Sequence, residues 1–248
     1  MKAMIFAAGL GTRLKPLTDT MPKALVPVGG TPMLEHVILK LKKAGFTEVV
    51  INVYHFAEQI VAFLEEKQDF GLTIHISDER GALLDTGGGI SKAREFLARD
   101  ERPFLVHNVD ILSDLDLGEV YRAHVASQSL VTLVASRRET SRYLLFDEEK
   151  RLRGWINRST GQTKPEGLVY DEEALNAYAF SGMHVLSPAV FEYMDRFHFE
   201  GKFSIIDFYL AICGEANLSG YLLDHLSLMD IGKPETLPLA EEFLRLHY

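Results

Sequence analysis

The sequence predicts an α/β protein: a doubly wound, mainly parallel sheet with an α/β elaboration laid over one end. Three observations carry that expectation. Apolar runs of strand length alternate with stretches of helical period through the first 136 residues, the pattern of successive βαβ crossovers. Those runs show no polar alternation, as expected of strands covered on both faces. Beyond them the spacing changes to short extended pairs separated by turn clusters.

Taken in order, Met1–Ala8 is an apolar run, interrupted only by Lys2 and ending at Gly9, that reads as a buried strand. Within Pro32–Ala44 the residues Met33, Leu34, Val37, Ile38, Leu41 and Ala44 keep helical spacing, and Gly45 stands where a helix C-cap is expected. Glu48–Val53 reads as a strand, Phe56–Glu66 as an amphipathic helix and Leu72–Ile76 as a short strand. Gly87, Gly88 and Gly89 precede an expected helix over Ile90–Ala98. Pro103–Val109 is a strand, Leu117–Ala126 a helix and Leu130–Ser136 a strand. Tyr143–Phe146 and Arg151–Asn157 read as a hairpin, followed by a turn at Ser159–Gln162 and a further extended piece. Ala177–Leu186 is a strand, Pro188–Arg196 and Ile205–Cys213 are helices, and Gly220–Leu223 and Leu228–Ile231 are short and extended. An amphipathic helix, Pro234–Leu246, follows. No Ser/Gly/Pro-rich linker or internal repeat divides the chain, so residues 1–248 are read as one domain, with a core over 1–136 and the elaboration over 137–248.

Composition narrows the function. The 248 residues are 47% apolar and 25% charged, enough for a sizeable core and unlike a disordered chain. A net charge of −9 disfavours a nucleic-acid or anionic-membrane surface, both of which reward clustered Lys and Arg. The single cysteine, Cys213, cannot form an internal disulfide; in an apolar helix with no nearby cation it reads as a core thiol. No apolar run is long enough to span a bilayer and none resembles a signal h-region. The expectation is a cytoplasmic protein without nucleic-acid or membrane partners. The nine histidines show no ligand spacing, so a zinc site is not expected.

Ligands of open parallel sheets bind beyond the carboxyl ends of the strands, which directs attention to the loop after the first strand. It runs Ala8-Gly9-Leu10-Gly11-Thr12-Arg13-Leu14-Lys15-Pro16-Leu17-Thr18, then Met21-Pro22-Lys23-Ala24-Leu25-Val26-Pro27-Val28. Gly9 and Gly11 allow close backbone approach and leave N–H groups free for an anion. Arg13 offers a donor fork and Lys23 a point charge. Over residues 1–23, Lys2, Arg13, Lys15 and Lys23 stand against Asp19 alone, a basic island in an acidic chain. Two common phosphate loops fail on the letters. The dinucleotide fingerprint needs Gly where Leu14 stands, and a Walker A loop needs a Gly-Lys-Ser/Thr triplet that is absent. On residues alone, a phosphate site and a Gly-rich turn with solvated basic side chains both stay open.

The string Gly9-x-Gly11-Thr12-Arg13-Leu14-x-Pro16-Leu17-Thr18, with Pro22-Lys23 and Pro27-Val28, resembles the signature of sugar-1-phosphate nucleotidyltransferases. Thr86-Gly87-Gly88-Gly89, Asn108-x-Asp110, Phe180-Ser181-Gly182 and Asp230-x-Gly232 follow in the order that family shows. The likeness is to its short members without a C-terminal β-helix, such as those acting on N-acetylmuramate, mannose or heptose 1-phosphates. The resemblance implies a Rossmann-like nucleotidyltransferase fold with a nucleotide-binding core and a sugar-phosphate-binding elaboration. It also implies transfer of NMP, with uridylyl or guanylyl favoured, from an NTP to a sugar 1-phosphate, releasing pyrophosphate. Arg13 and Lys23 would be catalytic. Ala8, Gly9, Gly11, Thr12, Thr86, Gly87 and Gly88 would bind nucleotide, Asn108, Ser181 and Gly182 the sugar phosphate, and Asp110 with Asp230 a Mg²⁺ ion. Ser113 or Asp116 suits the N-cap of the helix over 117–126 better than Asp110 does.

Val109 departs from the family, which usually has Gly before the metal-binding Asp, and a Cβ there could crowd the nucleotide. Lys164-Pro165 resembles part of a Glu-Lys-Pro element that contacts sugar phosphate in some members, with Thr163 replacing the Glu. Trp155 reads as packing in a hairpin strand rather than as a sugar platform. The aromatic stretch Tyr193, Phe197, His198, Phe199 and Phe203 fits core, pocket wall or subunit contact. Two other functions remain: a catalytically silent nucleotide-sugar-binding regulator, and a cytidylyltransferase acting on an alditol or choline phosphate.

Overall fold

The alternation of the first strand, β1 (Lys2–Phe6), sets up the layers. Ala3 and Ile5 are buried against one side of the sheet and Met4 against the other, as a period of two requires. The structure, a computed structural model, describes residues 1–247. A small hairpin, β2 (Pro27–Val28) and β3 (Thr31–Pro32), leads into helix α1 (Met33–Lys43). That helix ends as its sequence demands. Gly45 takes φ +90°, its N–H donates to the Lys42 carbonyl, and the Phe46 N–H donates to Leu41 O, the two bonds of a Schellman cap.

Strand β4 (Glu48–Val53), helix α2 (Ala57–Glu66) and strand β5 (Thr73–Asp78) come next. They are followed by α3 (Asp85–Lys92), α4 (Arg94–Leu97), β6 (Phe104–Asn108), β7 (Ile111–Ser113), α5 (Leu117–Ser127) and β8 (Val131–Ser136). The later part contributes β9 (Arg142–Phe146), β10 (Leu152–Asn157), β11 (Gln162–Lys164), β12 (Asn176–Leu186), α6 (Val190–Arg196) and α7 (Ile205–Ile212). Strands β13 (Leu218–Leu223) and β14 (Leu228–Asp230) and helix α8 (Leu237–His247) complete the described fold.

Strands β5-β4-β1-β6 lie side by side and parallel. One layer of helices, α1, α2, α5 and α8, covers one face with Leu34, Ile38, Ile60, Val120 and Phe243. The other face is covered by Ile90, Leu97, Phe191 and Phe208 from α3, α4, α6 and α7. Each fully buried Leu, Ile or Phe contributes on the order of 1.5–3 kcal/mol. The sheet therefore has helices on both faces, and the strand order reverses at β1, where β4 and β6 flank it.

Three details differ from the sequence reading. The strand over 131–136 does not extend the parallel run directly. The long strand β12 enters between β6 and β8, antiparallel to both, and β13 then joins β8 in parallel. This makes a mixed sheet with a parallel core, and the pairing of residues 104–107 with 183–186 is too distant in sequence for local pattern to reveal. The helix expected over Ile90–Ala98 begins earlier, at Asp85, takes in all three glycines, and breaks at Ala93. Short β7, where the sequence reading assigns no element, is a strand paired with β14. Among the described residues no helix is long and apolar enough to cross a membrane.

Candidate active site

Loop 7–23 leaves β1 at the reversal point and folds back on itself through a glycine. Gly11 has φ +64°, and a Cβ there would stand 2.8 Å from Thr18 Cγ2 and 2.9 Å from Lys23 Cβ. No L side chain fits that turn comfortably. Its carbonyl accepts from Thr18 Oγ1 at 2.9 Å and from the Leu14 N–H at 2.8 Å. This closure carries Arg13 outward on a 3₁₀ turn and brings Lys23 back to the mouth of the sheet.

At that mouth the Lys23 ammonium forms an ion pair and hydrogen bond with the Asp110 carboxylate, and both groups are largely covered. Asp110 follows β6 directly. It is not the cap of α5; Asp116 is, accepting from the Gly118 and Glu119 N–H groups at 2.8 and 3.0 Å. Asp230 arrives from the far end of the chain through β14, which pairs antiparallel with β7 and sets Asp230 opposite Ile111. The Ile231 N–H donates to the Asp110 carbonyl at 2.8 Å. The two aspartates are thus neighbours across a two-stranded ladder. The Asp230 carboxylate makes no hydrogen bond or ion pair among the described residues. It is open to solvent, yet the surrounding protein disfavours its charge, and with the Asp110 charge beside it its pKa is raised; Lys23, Arg13 and Arg138 oppose that shift. Arg13 belongs to the same cluster: a Cβ built on Gly232 would lie 2.9 Å from Arg13 Nη2 and 3.0 Å from Asp230 Oδ1.

One hollow opens at this charged centre, and a second is linked to it through Arg138, whose charge acts on Asp230. The first, about 350 Å³, is lined by Ala8, Gly9, Lys23, Thr86, Asn108 and Asp110 of the expected residues. It is also lined by Asn52, Glu79, Asp85 and Lys202, which the sequence reading missed. Asn52 is buried at the carboxyl end of β4. Its Oδ1 accepts from the Ala7 and Ala8 N–H groups at 2.7 and 3.3 Å, and its Nδ2 donates to Glu79 Oε1 at 2.7 Å. Burial raises the Glu79 pKa. A lone amide in the otherwise apolar Val49–Val53 run was the available clue. The second hollow, about 520 Å³, opens between the β9-β10-β11 hairpin sheet and α7 and has Arg138, Trp155, Lys164 and Phe180 among its walls. Trp155, read as packing, therefore stands in a pocket wall.

Six of the expected nucleotide- and sugar-binding residues, Gly11, Thr12, Gly87, Gly88, Ser181 and Gly182, line neither hollow. Gly87 and Gly88 are buried and their N–H groups both donate to the Phe203 carbonyl, at 2.9 and 3.3 Å, instead of facing a ligand. A Cβ on Gly87 would meet the Phe203 ring at 2.2 Å, and one on Gly88 the Gly201 carbonyl oxygen at 2.1 Å. These glycines serve close helix-to-loop packing. Ser181 is fully buried, 3.5 Å from Ser136 Oγ, and Gly182, at φ +72°, packs behind Asn108. Thr12 and Gly11 belong to the loop but do not line the first hollow.

The basic island is smaller than its letters. Lys2 is buried, donating to the Phe96 and Leu97 carbonyls at 3.1 Å each, and Lys15 pairs with Asp19 at 3.0 Å. Val109 is 4% exposed and packs with the core, and it also borders the first hollow between Asn108 and Asp110. Phe199 packs edge-to-face on both Phe203 and Phe208, with ring centroids 5.1 Å apart in each pair. Cys213 is a buried free thiol whose pKa burial pushes up.

The family model described as nucleotidyl transferase matches residues 2–245 of this chain. The N-acetylmuramate alpha-1-phosphate uridylyltransferase of Caulobacter vibrioides is 30% identical over 246 residues, covering 96% of this chain and 95% of that protein. The UTP–glucose-1-phosphate uridylyltransferase of a Synechocystis species is 32% identical over 207 residues, 78% of this chain and 51% of that protein. The chain spans about half the length of that relative and of several other curated relatives it matches. Among solved structures, HddC from Yersinia pseudotuberculosis in complex with GMP-PN superposes with a TM-score of 0.74 at 22% identity, over 98% of this chain and 99% of that one. At that identity the likeness speaks for the fold.

Proposed function

The chain belongs to the nucleotidyl transferase family, and we propose that it transfers an NMP group from an NTP to a sugar 1-phosphate, forming an NDP-sugar and pyrophosphate. One observation carries the reading: Arg13, Lys23, Asp110 and Asp230, from three distant stretches of sequence, converge beside the first hollow, and Arg138, whose charge acts on Asp230, lines the second. The relatives named for uridylyl transfer support uridylyl as the transferred group. Guanylyl transfer is the second choice, supported by relatives named mannose-1-phosphate guanyltransferase.

In this reaction a phosphate oxygen of the sugar 1-phosphate bonds to the α-phosphorus while the bond from that phosphorus to the β-phosphate bridging oxygen breaks. The protein needs no nucleophile of its own. It needs to align two polyanions and offset their charge. The first hollow takes the nucleoside, with the Ala7 and Ala8 backbone held by Asn52. Arg13 holds the β- and γ-phosphates that leave, and Lys23 lies where the α-phosphate meets the incoming sugar phosphate. The second hollow, entered past Arg138, takes the sugar.

Asp110 and Asp230 fit a hard divalent cation. They are adjacent carboxylates, one already facing an ammonium and the other without a partner, and they leave most coordination positions to phosphate oxygens and water, as Mg²⁺ prefers. When bound, such an ion offsets phosphate charge in the crevice. An NTP-consuming reaction is in keeping with a cytoplasmic setting. The direct test is pyrophosphate release measured over a grid of NTPs and sugar 1-phosphates with Mg²⁺. Release that needs both partners is the expected result, and no release from any pair would end the proposal.

A further inference from the structure

The floor of the second hollow is a regular grid. The ladders β9-β10-β11 align Arg142 with Asn157 and Gln162 in one row, and Leu144 with Trp155 and Lys164 in the next. Residues two apart on a strand share a face, so all six side chains present to the same hollow, and each lines it. The opposite wall is Ser204 with Ile206, Asp207 and Leu210 of α7. Leu144 and the half-buried Trp155 ring give an apolar surface suited to the C–H face of a sugar, and Asn157 and Gln162 supply amide donors and acceptors.

The charges of this hollow do not balance. Those lining it are Arg138, Arg142, Lys164 and Asp207. Lys164 and Asp207 neutralise each other at 2.7 Å. Arg138 donates to the Phe180 carbonyl at 2.8 Å and stabilises the charged form of Asp230, so it belongs to the end where phosphate chemistry occurs. The Arg142 guanidinium has no hydrogen bond or ion pair among the described residues. In a chain of net charge −9 it is an uncompensated cation beside a ring-sized apolar platform. A neutral hexose 1-phosphate offers it no counter-charge once its phosphate is engaged at the Arg138 end.

We propose that the second hollow selects sugar 1-phosphates that carry a carboxylate on the sugar, and that Arg142 is the specificity-determining residue that reads it. The planar guanidinium fork matches a carboxylate in two parallel hydrogen bonds. The proposal rests on the transferase reading above, and it deepens that reading by naming the substrate class.

The test compares matched pairs: glucuronate 1-phosphate against glucose 1-phosphate, and N-acetylmuramate 1-phosphate against N-acetylglucosamine 1-phosphate. For each, kcat/KM for pyrophosphate release is measured in the wild type and in Arg142→Gln. The wild type is expected to favour the carboxylated member of at least one pair by tenfold or more. Arg142→Gln is expected to reduce that preference by about 10- to 100-fold, the usual loss for a charged hydrogen bond. Trp155 is the only tryptophan of the chain, so its fluorescence titrated with the same sugar phosphates reads binding in this hollow directly, and the Kd preference should fall in parallel. Turnover of the neutral sugars with no preference, or a preference unchanged in Arg142→Gln, overturns the proposal and leaves the transferase reading standing. No pyrophosphate from any of the four overturns the proposal, and the transferase reading falls with it only when the wider grid of sugar 1-phosphates is silent too.

Discussion

The Lys23 ammonium rests on the Asp110 carboxylate, joining the loop after β1 to the end of β6 across 87 residues of sequence. That contact fixes Lys23 at the crevice, beside the carboxylate proposed to hold the divalent cation. Lys23→Ala is expected to fold, with a melting temperature within a few degrees of the wild type, and to lose turnover by roughly 10²- to 10³-fold, as when a preorganised electrostatic contact is removed. Arg13→Ala should behave alike. A pyrophosphate-release assay on each variant checks this, and a normal rate in either one removes that residue from the mechanism.

The ladder between β7 and β14 brings Asp110 and Asp230 together, and the cation they are suited to bind can be titrated. Asp110→Asn keeps the size of the side chain and removes its charge. Activity measured against Mg²⁺ concentration is expected to disappear at all accessible concentrations in this variant. An Mg²⁺ curve identical to that of the wild type would mean that the ion is held elsewhere.

Gly88 tests whether the glycine run serves packing or nucleotide. A Cβ there meets a backbone oxygen, Gly201 O at 2.1 Å, which cannot swing aside as a flexible side chain could. Gly88→Ala should therefore lose about 1–3 kcal/mol of stability in urea unfolding, the usual range for overpacking. NTP affinity of the folded fraction should stay within about twofold. Unchanged stability with weakened nucleotide binding would return Gly88 to the ligand surface.

That distinction marks where the sequence was readable. Arg13, Lys23, Asp110 and Asp230 were legible through the motifs that resemble those of sugar-1-phosphate nucleotidyltransferases, and the structure brings them together. The parallel core was equally plain, because buried strands and capped helices write their own boundaries, as Gly45 does for α1. Glycines carry no such label. A position without a Cβ is needed equally where a ligand approaches and where another backbone does, and only the contact of Gly87 and Gly88 with residues 201–203 tells which. Lys2 misled for a related reason. Its letter suggests a solvated charge, yet its long stem lets the ammonium cap α4 from inside the protein. Trp155 and Arg142 gained meaning only from the β9-β10-β11 register, which sets them on one face.

Acid stability offers a check on the interior, through His124. The Ser187 hydroxyl donates to the Ser129 carbonyl at 3.1 Å, so it accepts from His124 Nε2–H, leaving Nδ1 to accept from the Thr132 hydroxyl at 2.8 Å. This is a network for neutral imidazole. Burial lowers the His124 pKa from 6.5 to about 4. Between those values the unfolded chain holds a proton that the folded one does not, so stability rises with pH. The contribution is fully present above about pH 6.5 and is lost as the pH falls toward 4. His184, lowered by burial to about 3, adds to the same trend. Urea unfolding followed from pH 7 to 4.5 should show falling stability, and His124→Gln should make the slope shallower by up to about 1.4 kcal/mol per pH unit. If the variant and the wild type lose stability in parallel, His124 is charged in the folded protein and the neutral network is wrong.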